Sequence, residues 1–314
     1  MTDYKTLKGF KTKILGSDPS PLFEGQVWYD TGDRKLKVRG FTAAVWTESG
    51  DLNTARSNGQ FNGSQTAGVG CGGGNATVSE EYNGVGWTEG NELQTGSNGA
   101  MGGGSAGSQT AAIIGGGNPS PRRQFTELYD GTNWSEAGDL GTGRYGIQGF
   151  GSTTAAVAAS GYPGPTVNSE EWNGTGWTEG NNVNAGRSTQ AGFGTQTAGV
   201  LVGSAICEEF DGTSWTESDE LNNSRSDTTG GGTQTAGFTA GGSTTAAYAE
   251  TYDGSTWSTA ANINTIRGAC AGGGGTTSAG IISGGYNSGI FPSPHTTGYT
   301  EEFTGGESTL ELED

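Results

Sequence analysis

The sequence predicts an all-β protein built from repeats, on three observations. A phrase first seen at Glu80–Leu93 (EEYNGVGWTEGNEL) recurs at 127–140, 170–183, 208–221 and 250–263. Spacings of roughly 40 residues are those of repeat architectures. Every copy holds Asn-Gly or Asp-Gly before its Trp: Asn83-Gly84, Asp130-Gly131, Asn173-Gly174, Asp211-Gly212 and Asp253-Gly254. These dipeptides are the strongest short hairpin signal, because both central residues of a type I′ turn need positive φ. Finally, no window has an apolar period near 3.6 over a useful length.

The composition fits small sheets better than one large core. The hydrophobic fraction is 30% and 62 of 314 residues are glycine. That balance alone would suit disorder, yet the eight Trp and most other aromatics stand at fixed repeat positions. The net charge of −18 argues against a nucleic-acid partner, which needs clustered Lys and Arg, and against an anionic membrane surface. Its plain reading is solubility. Cys71, Cys207 and Cys270 fall at three different repeat positions, so they spell neither a metal site nor a disulfide framework; small buried residues are expected. The N-terminus has no apolar run fit for a signal peptide, and no stretch approaches the roughly 18 apolar residues of a membrane helix. Synthesis and folding in a reducing cytoplasm, without membrane insertion and without cofactor or metal, is the expectation.

In chain order, residues 1–24 read as an arm and linker, broken by Pro19 and Pro21. Residues 25–314 read as the repeat domain, with units at about 25–52, 53–93, 94–140, 141–183, 184–221, 222–263 and 264–314. Val27, Tyr29, Leu36 and Val38 alternate about a turn at Thr31-Gly32-Asp33, a hairpin pattern. With Lys11–Leu15 and Ala44–Glu48 as further strands, residues 11–48 would make one four-stranded unit. Each later unit reads as four strands. The first is Gly/Ala-rich (Ser188–Gly194), the second Ala/Val/Ile-rich (Thr110–Ile114, Thr197–Val202), the third carries the Glu and an aromatic, and the fourth carries the Trp. A degenerate copy opens the series (Phe41, Trp46, Leu52). Another closes it (Glu301, Phe303, Gly305), with Ser308 where Trp belongs.

Arg follows the Leu/Val/Ile by four residues at Arg56, Arg144, Arg187, Arg225 and Arg267, with Ser97 in the odd unit. Gly-Gly ends the second strand at Gly72-Gly73, Gly115-Gly116, Gly241-Gly242 and Gly284-Gly285, and is broken at Ser160-Gly161 and Gly203-Ser204. With the aromatic, the Asn/Asp-Gly and the Trp, this resembles the kelch repeat over residues 53–305. The resemblance implies a β-propeller, whose radial sheets protect their edges. Seven blades are favoured; six blades with an N-terminal appendage is the alternative. Either count makes the C-terminal STLELED the outer strand of the last blade. The opening SDPSPLFEGQVWYDTGDRKLKV, then NTAR and the phrase GTQTAG (Gly194–Gly199, Gly232–Gly237), is similar to kelch-like proteins of marine bacteriophages. It implies a virion component that joins other virion proteins and becomes oligomeric by attachment to a symmetric assembly.

A residue present in every repeat serves the repeat. The carboxylates Glu80, Glu127, Glu170, Glu208, Glu250 and Glu301 are expected to pair with the repeated Arg, bidentately, rather than to ring a cation. Trp46, Trp87, Trp134, Trp177, Trp215 and Trp257 are expected to pack between blades rather than to stack sugars. No catalytic constellation stands out. A copper oxidase needs two His, and the chain has only His295; a sialidase needs an Arg cluster outside the repeat. An enzyme is therefore not expected, a glycan-cleaving one being the remote alternative. Function should sit where repeats differ, in the Pro-containing insertions Asn118–Gln124, Tyr162–Asn168 and Tyr286–Tyr299. In a propeller these would crowd one face, presenting Arg122, Arg123, Tyr162, Tyr286, Phe291, His295 and Tyr299, types suited to binding. Two functions follow: a tail-fibre or tail-tip propeller binding a host-surface glycan or protein, or a structural propeller decorating capsid or tail, with residues 1–24 docking to a neighbour.

Overall fold

The computed structural model describes residues 13–17, 27–32, 34–41, 44–100, 107–118, 124–164, 166–188, 190–242, 247–270, 272–293, 295–305 and 307–312. Among them there are strands and turns and no helix, and the strands form seven four-stranded sheets, the number of units the sequence predicts. The chain divides into two compact units, residues 1–45 with 305–314, and residues 46–304.

The smaller unit is one sheet, ordered Lys13–Leu15, Val27–Asp30, Lys35–Phe41, Glu307–Leu312. The first pair is parallel, and the hairpin and the C-terminal strand pair antiparallel. The hairpin forms as its alternation predicts, but its buried face is the other one. Trp28 is fully buried beside the buried Lys37–Asp30 ion pair (3.0 Å), while Tyr29 is exposed.

The larger unit holds six sheets. Their first strands are Gln60–Ser64, Gly107–Ser108, Gln148–Gly151, Ala191–Thr195, Thr229–Thr233 and Gly272–Gly275. Ala191–Thr195 lies between Gln148–Gly151 and Thr229–Thr233, and Gly272–Gly275 lies against both Thr229–Thr233 and Gln60–Ser64. The inner strands thus run round an axis and the last meets the first. This unit is a six-sheet β-propeller.

Two strand assignments need correction. Val45–Glu48 does not complete the N-terminal sheet; it is the outer strand of the last propeller sheet, next to Thr300–Thr304. The C-terminal strand Glu307–Leu312, expected there, pairs with Lys35–Phe41 instead. The reason is aromatic complementarity. In every other sheet the third-strand aromatic packs on the fourth-strand Trp, as in Tyr82–Trp87 (5.0 Å, 42°) and Phe210–Trp215 (4.9 Å, 34°). Phe303 has Ser308 ahead of it in sequence, and it finds Trp46 at 5.0 Å and 42°. Asn264 then donates to the Trp46 carbonyl (2.9 Å), as Asn53 does to that of Trp87 (3.1 Å). The two degenerate copies are halves of one blade.

Small residues let the sheets approach. A Cβ at Gly199 or Gly237 would collide with the ring of Phe150 or Phe193 from the preceding sheet. The glutamine of GTQTAG ties the same seam. Gln196 Nε2 donates to the carbonyls of Ala156 (3.0 Å) and Trp172 (2.8 Å), and Gln109 Nε2 to that of Tyr82 (3.0 Å). The phrase performs the same packing task in the sheets that carry its glutamine.

Candidate functional site

The repeated polar residues are occupied within the frame. Glu80 is fully buried: Oε2 accepts from the Asn53 backbone N–H (2.8 Å) and side-chain amide (2.9 Å), while Oε1 accepts from Arg56 (2.8 Å). Glu208 with Arg187 (2.5 Å), Glu250 with Arg225 (2.5 Å), Glu170 with Arg144 (2.7 Å) and Glu301 with Arg267 repeat the pair. Pairing within the repeat is as expected, but the bidentate geometry is not. One guanidinium nitrogen meets one oxygen, and the second carboxylate oxygen is taken by backbone. The other guanidinium nitrogen reaches second-strand carbonyls, such as Leu201 O at 2.9 Å from Arg187. Burial lowers the pKa of Arg56, Arg144 and Arg225, with the facing Glu opposing it. Glu127, in whose unit Ser97 holds the Arg position, accepts from Gln94 N and Thr95 N (both 2.9 Å), and burial raises its pKa.

The Trp series bridges sheets, as expected. Trp87 Nε1 donates to Thr300 Oγ1 (2.9 Å), Trp134 to Ser79 Oγ (3.2 Å) and Trp177 to Thr126 Oγ1 (2.8 Å), each in the preceding sheet. Tyr129 adds a bond to Glu81 (2.6 Å) and Tyr252 one to Glu209 (2.6 Å) across the same seams. Cys71, Cys207 and Cys270 are buried free thiols, and burial pushes Cys71 and Cys207 up to about 12. No group of three metal-ligating side chains occurs among the described residues.

What the frame leaves open is one end of the axis. A cavity of about 360 Å³ is lined from all six sheets by glycine and alanine together with polar side chains, among them Gln60, Asn98, Gln148, Gln190, Thr228 and Asp227. Its mouth is a collar of left-handed residues at the same repeat position, Asn58 (φ 54°), Gly99 (62°), Gly146 (60°), Asp227 (58°) and Ala269 (48°). That conformation turns each peptide along the ring. Asn58 N donates to Ala269 O (2.9 Å), Gly99 N to Asn58 O (2.9 Å), Gly146 N to Gly99 O (2.7 Å) and Ala269 N to Asp227 O (3.0 Å). Hydrogen bonds between sheets thus hold the rim at a fixed width.

Described residues of two insertions lie near this same end. Tyr162 pairs with Tyr145, a cavity residue, by two backbone bonds and a ring contact at 4.9 Å. Tyr286 bridges Gly268, next to the collar, and packs edge-on against His295 at 5.9 Å. The two lie in the third and sixth sheets, opposite each other in the ring. Arg122 and Arg123 lie outside the described residues. Tyr162 and Tyr299 are exposed, whereas Phe291 is buried at 8% exposure against Tyr299. Phe291 serves as the plug of its own loop rather than a contact residue, and the exposed neighbour is Ile290. Sequence reasoning missed the cavity: Asn98, Asn118 and Gln190 lie outside the inner strands, and only Gln60 and Gln148 share a repeat position, each opening its strand.

No family model matches the chain, and no curated protein matches it. Among solved structures it is similar to one titled "Structure of YjhT", with a TM-score of 0.65 and 10% identity, covering 83% of this chain and 99% of that one. At that identity the likeness speaks for the propeller fold alone.

Proposed function

We propose that the chain is a non-enzymatic binding propeller of the kelch type, part of a bacteriophage virion of the tail-fibre or tail-tip kind. It contacts the host surface through the axis end framed by the insertions. One observation carries the reading. The repeat Glu, Arg and Trp side chains are occupied inside the frame, while the non-repeating Tyr162 and Tyr299 stand exposed. Exposed aromatics on a rigid rim make binding anchors. The kelch-like repeat and the phage-like phrasing of the opening segment give the biological setting.

A second reading, a structural decoration or adaptor propeller on capsid or tail, is favoured by the separate sheet that joins Lys13–Phe41 to Glu307–Leu312. Such a unit would serve as the attachment to other virion proteins. Mass spectrometry of purified particles and adsorption assays test both. The first reading expects the chain in the particle and adsorption weakened by Tyr162→Ser with Tyr299→Ser. Unchanged adsorption with the chain present favours the second, and absence from particles contradicts both.

A further inference from the structure

We infer that the axial cavity binds one uncharged sugar residue, end-on. This deepens the reading above: it rests on that same face and names the ligand class. The cavity's volume, about 360 Å³, lies within the roughly 300–1,000 Å³ of small-molecule sites. Walls from all six sheets make it a recess on the axis, suited to a terminal or branch-tip residue rather than to a polymer passing across.

Its chemistry selects the ligand. The half-buried amide side chains of Asn58, Asn98, Asn118 and Gln148 offer donor and acceptor together, which matches the hydroxyls of a sugar. Lys and Arg are absent from its lining among the described residues. With the chain's net charge of −18, this disfavours phosphates, uronates and sialic acids. The apolar lining is limited to small residues with Ile147 and Tyr145, which gives no seat for a peptide's apolar side chain. Tyr145 offers a ring face for a sugar's C–H surface.

The site also has polar groups left over. Gln190 is fully buried, and its Oε1 accepts no hydrogen bond; its Nε2 makes one long bond to Arg187 O at 3.4 Å. Thr228 Oγ1, buried in the same lining, is likewise unpartnered. Buried polar groups without partners are rare and call for one. Both belong to residues that line the cavity. The collar keeps the recess preformed, which limits the ordering cost of binding.

The test is titration of the full chain with methyl glycosides of neutral hexoses and N-acetylhexosamines, read by calorimetry and by the side-chain amide NMR signals of Gln148 and Gln190. Glucuronate, sialic acid and short peptides run alongside. Saturable binding of at least one neutral glycoside with shifts at both amides is expected. Gln190→Leu and Gln148→Leu should each weaken it about tenfold, the loss of roughly one hydrogen bond, with the melting transition retained. Should Gln190→Leu fail to fold, the amide shifts in the unsubstituted chain and the half-buried Gln148→Leu still decide. No saturable neutral glycoside, tighter binding of the charged sugars or peptides, or full affinity in Gln148→Leu overturns the inference. Glycoside titration of Gln148→Leu reads the cavity and particle adsorption of the Tyr162→Ser, Tyr299→Ser pair reads the face, so the two fail separately.

Discussion

The unequal blades allow an internal comparison of buried carboxylates. Glu250 and Glu127 occupy the same repeat position, and both are fully buried. Glu250 faces Arg225 at 2.5 Å, whereas the unit of Glu127 has Ser97 at the Arg position. Replacing Glu250 by Gln leaves the Arg225 guanidinium buried without its anion, which costs about 3–5 kcal/mol. Replacing Glu127 by Gln orphans no cation. It costs one of two backbone bonds, about 1 kcal/mol, offset by removing a charge that burial already disfavours. The pH dependence has opposite signs. Burial raises the Glu127 pKa, with the Gln94 and Thr95 N–H groups opposing. The folded state therefore holds that proton more tightly. Its contribution is complete below the unfolded value of about 4.3 and is lost as pH rises through the folded value. Burial also pushes Glu250 up, but Arg225 and Asn222 outweigh it and the net shift is downward. That contribution is present above about 4.3 and is lost as pH falls through the folded value. Denaturant unfolding of the two variants at pH 4 to 7 reads both effects. E127Q should gain on the parent chain as pH rises, and E250Q should lose. Equal losses at all pH values would refute the role assigned to Arg225.

The collar predicts that Ala269→Gly leaves stability unchanged or raises it by up to about 1 kcal/mol, since alanine at φ 48° is strained. Gly99→Ala, with φ 62° and no contact to its Cβ under 3.0 Å, should lose about 1 kcal/mol; thermal melts compare them. Gln196→Ala removes two donations into the preceding sheet and should cost about 1–2 kcal/mol, seen as faster hydrogen exchange along that seam. Burial first, and then Glu302, pushes the Tyr82 hydroxyl up to about 12. Stability should therefore fall between about pH 10 and 12, a loss that Tyr82→Phe removes from alkaline melts.

The frame was legible because each sheet repeats the same physical problem. The turn needs Asn/Asp-Gly, the buried Glu needs Arg and backbone donors, and the seam needs Trp. The closure was not legible in the same way. Trp46 lies in a degenerate copy, and nothing local says that its aromatic partner is Phe303, 257 residues on. Chain order favoured Ala44–Glu48 with the hairpin before it, whereas packing placed it with the last sheet. The cavity was hidden for a related reason. Gln60 and Gln148 each open an inner strand, but they meet Gln190 and the asparagines only when the ring is built. Phe291 misled because an insertion long enough to bind is also long enough to need a core of its own.

The closure carries the whole account, since the ring, the collar and the recess all depend on it. Nuclear Overhauser contacts of the Trp46 indole in the full chain test it most directly. Contacts to the rings of Phe303 and Phe238, at centroid distances of 5.0 and 6.1 Å, are predicted. Contacts instead to the hairpin strands Val27–Asp30 and Lys35–Phe41 would contradict it.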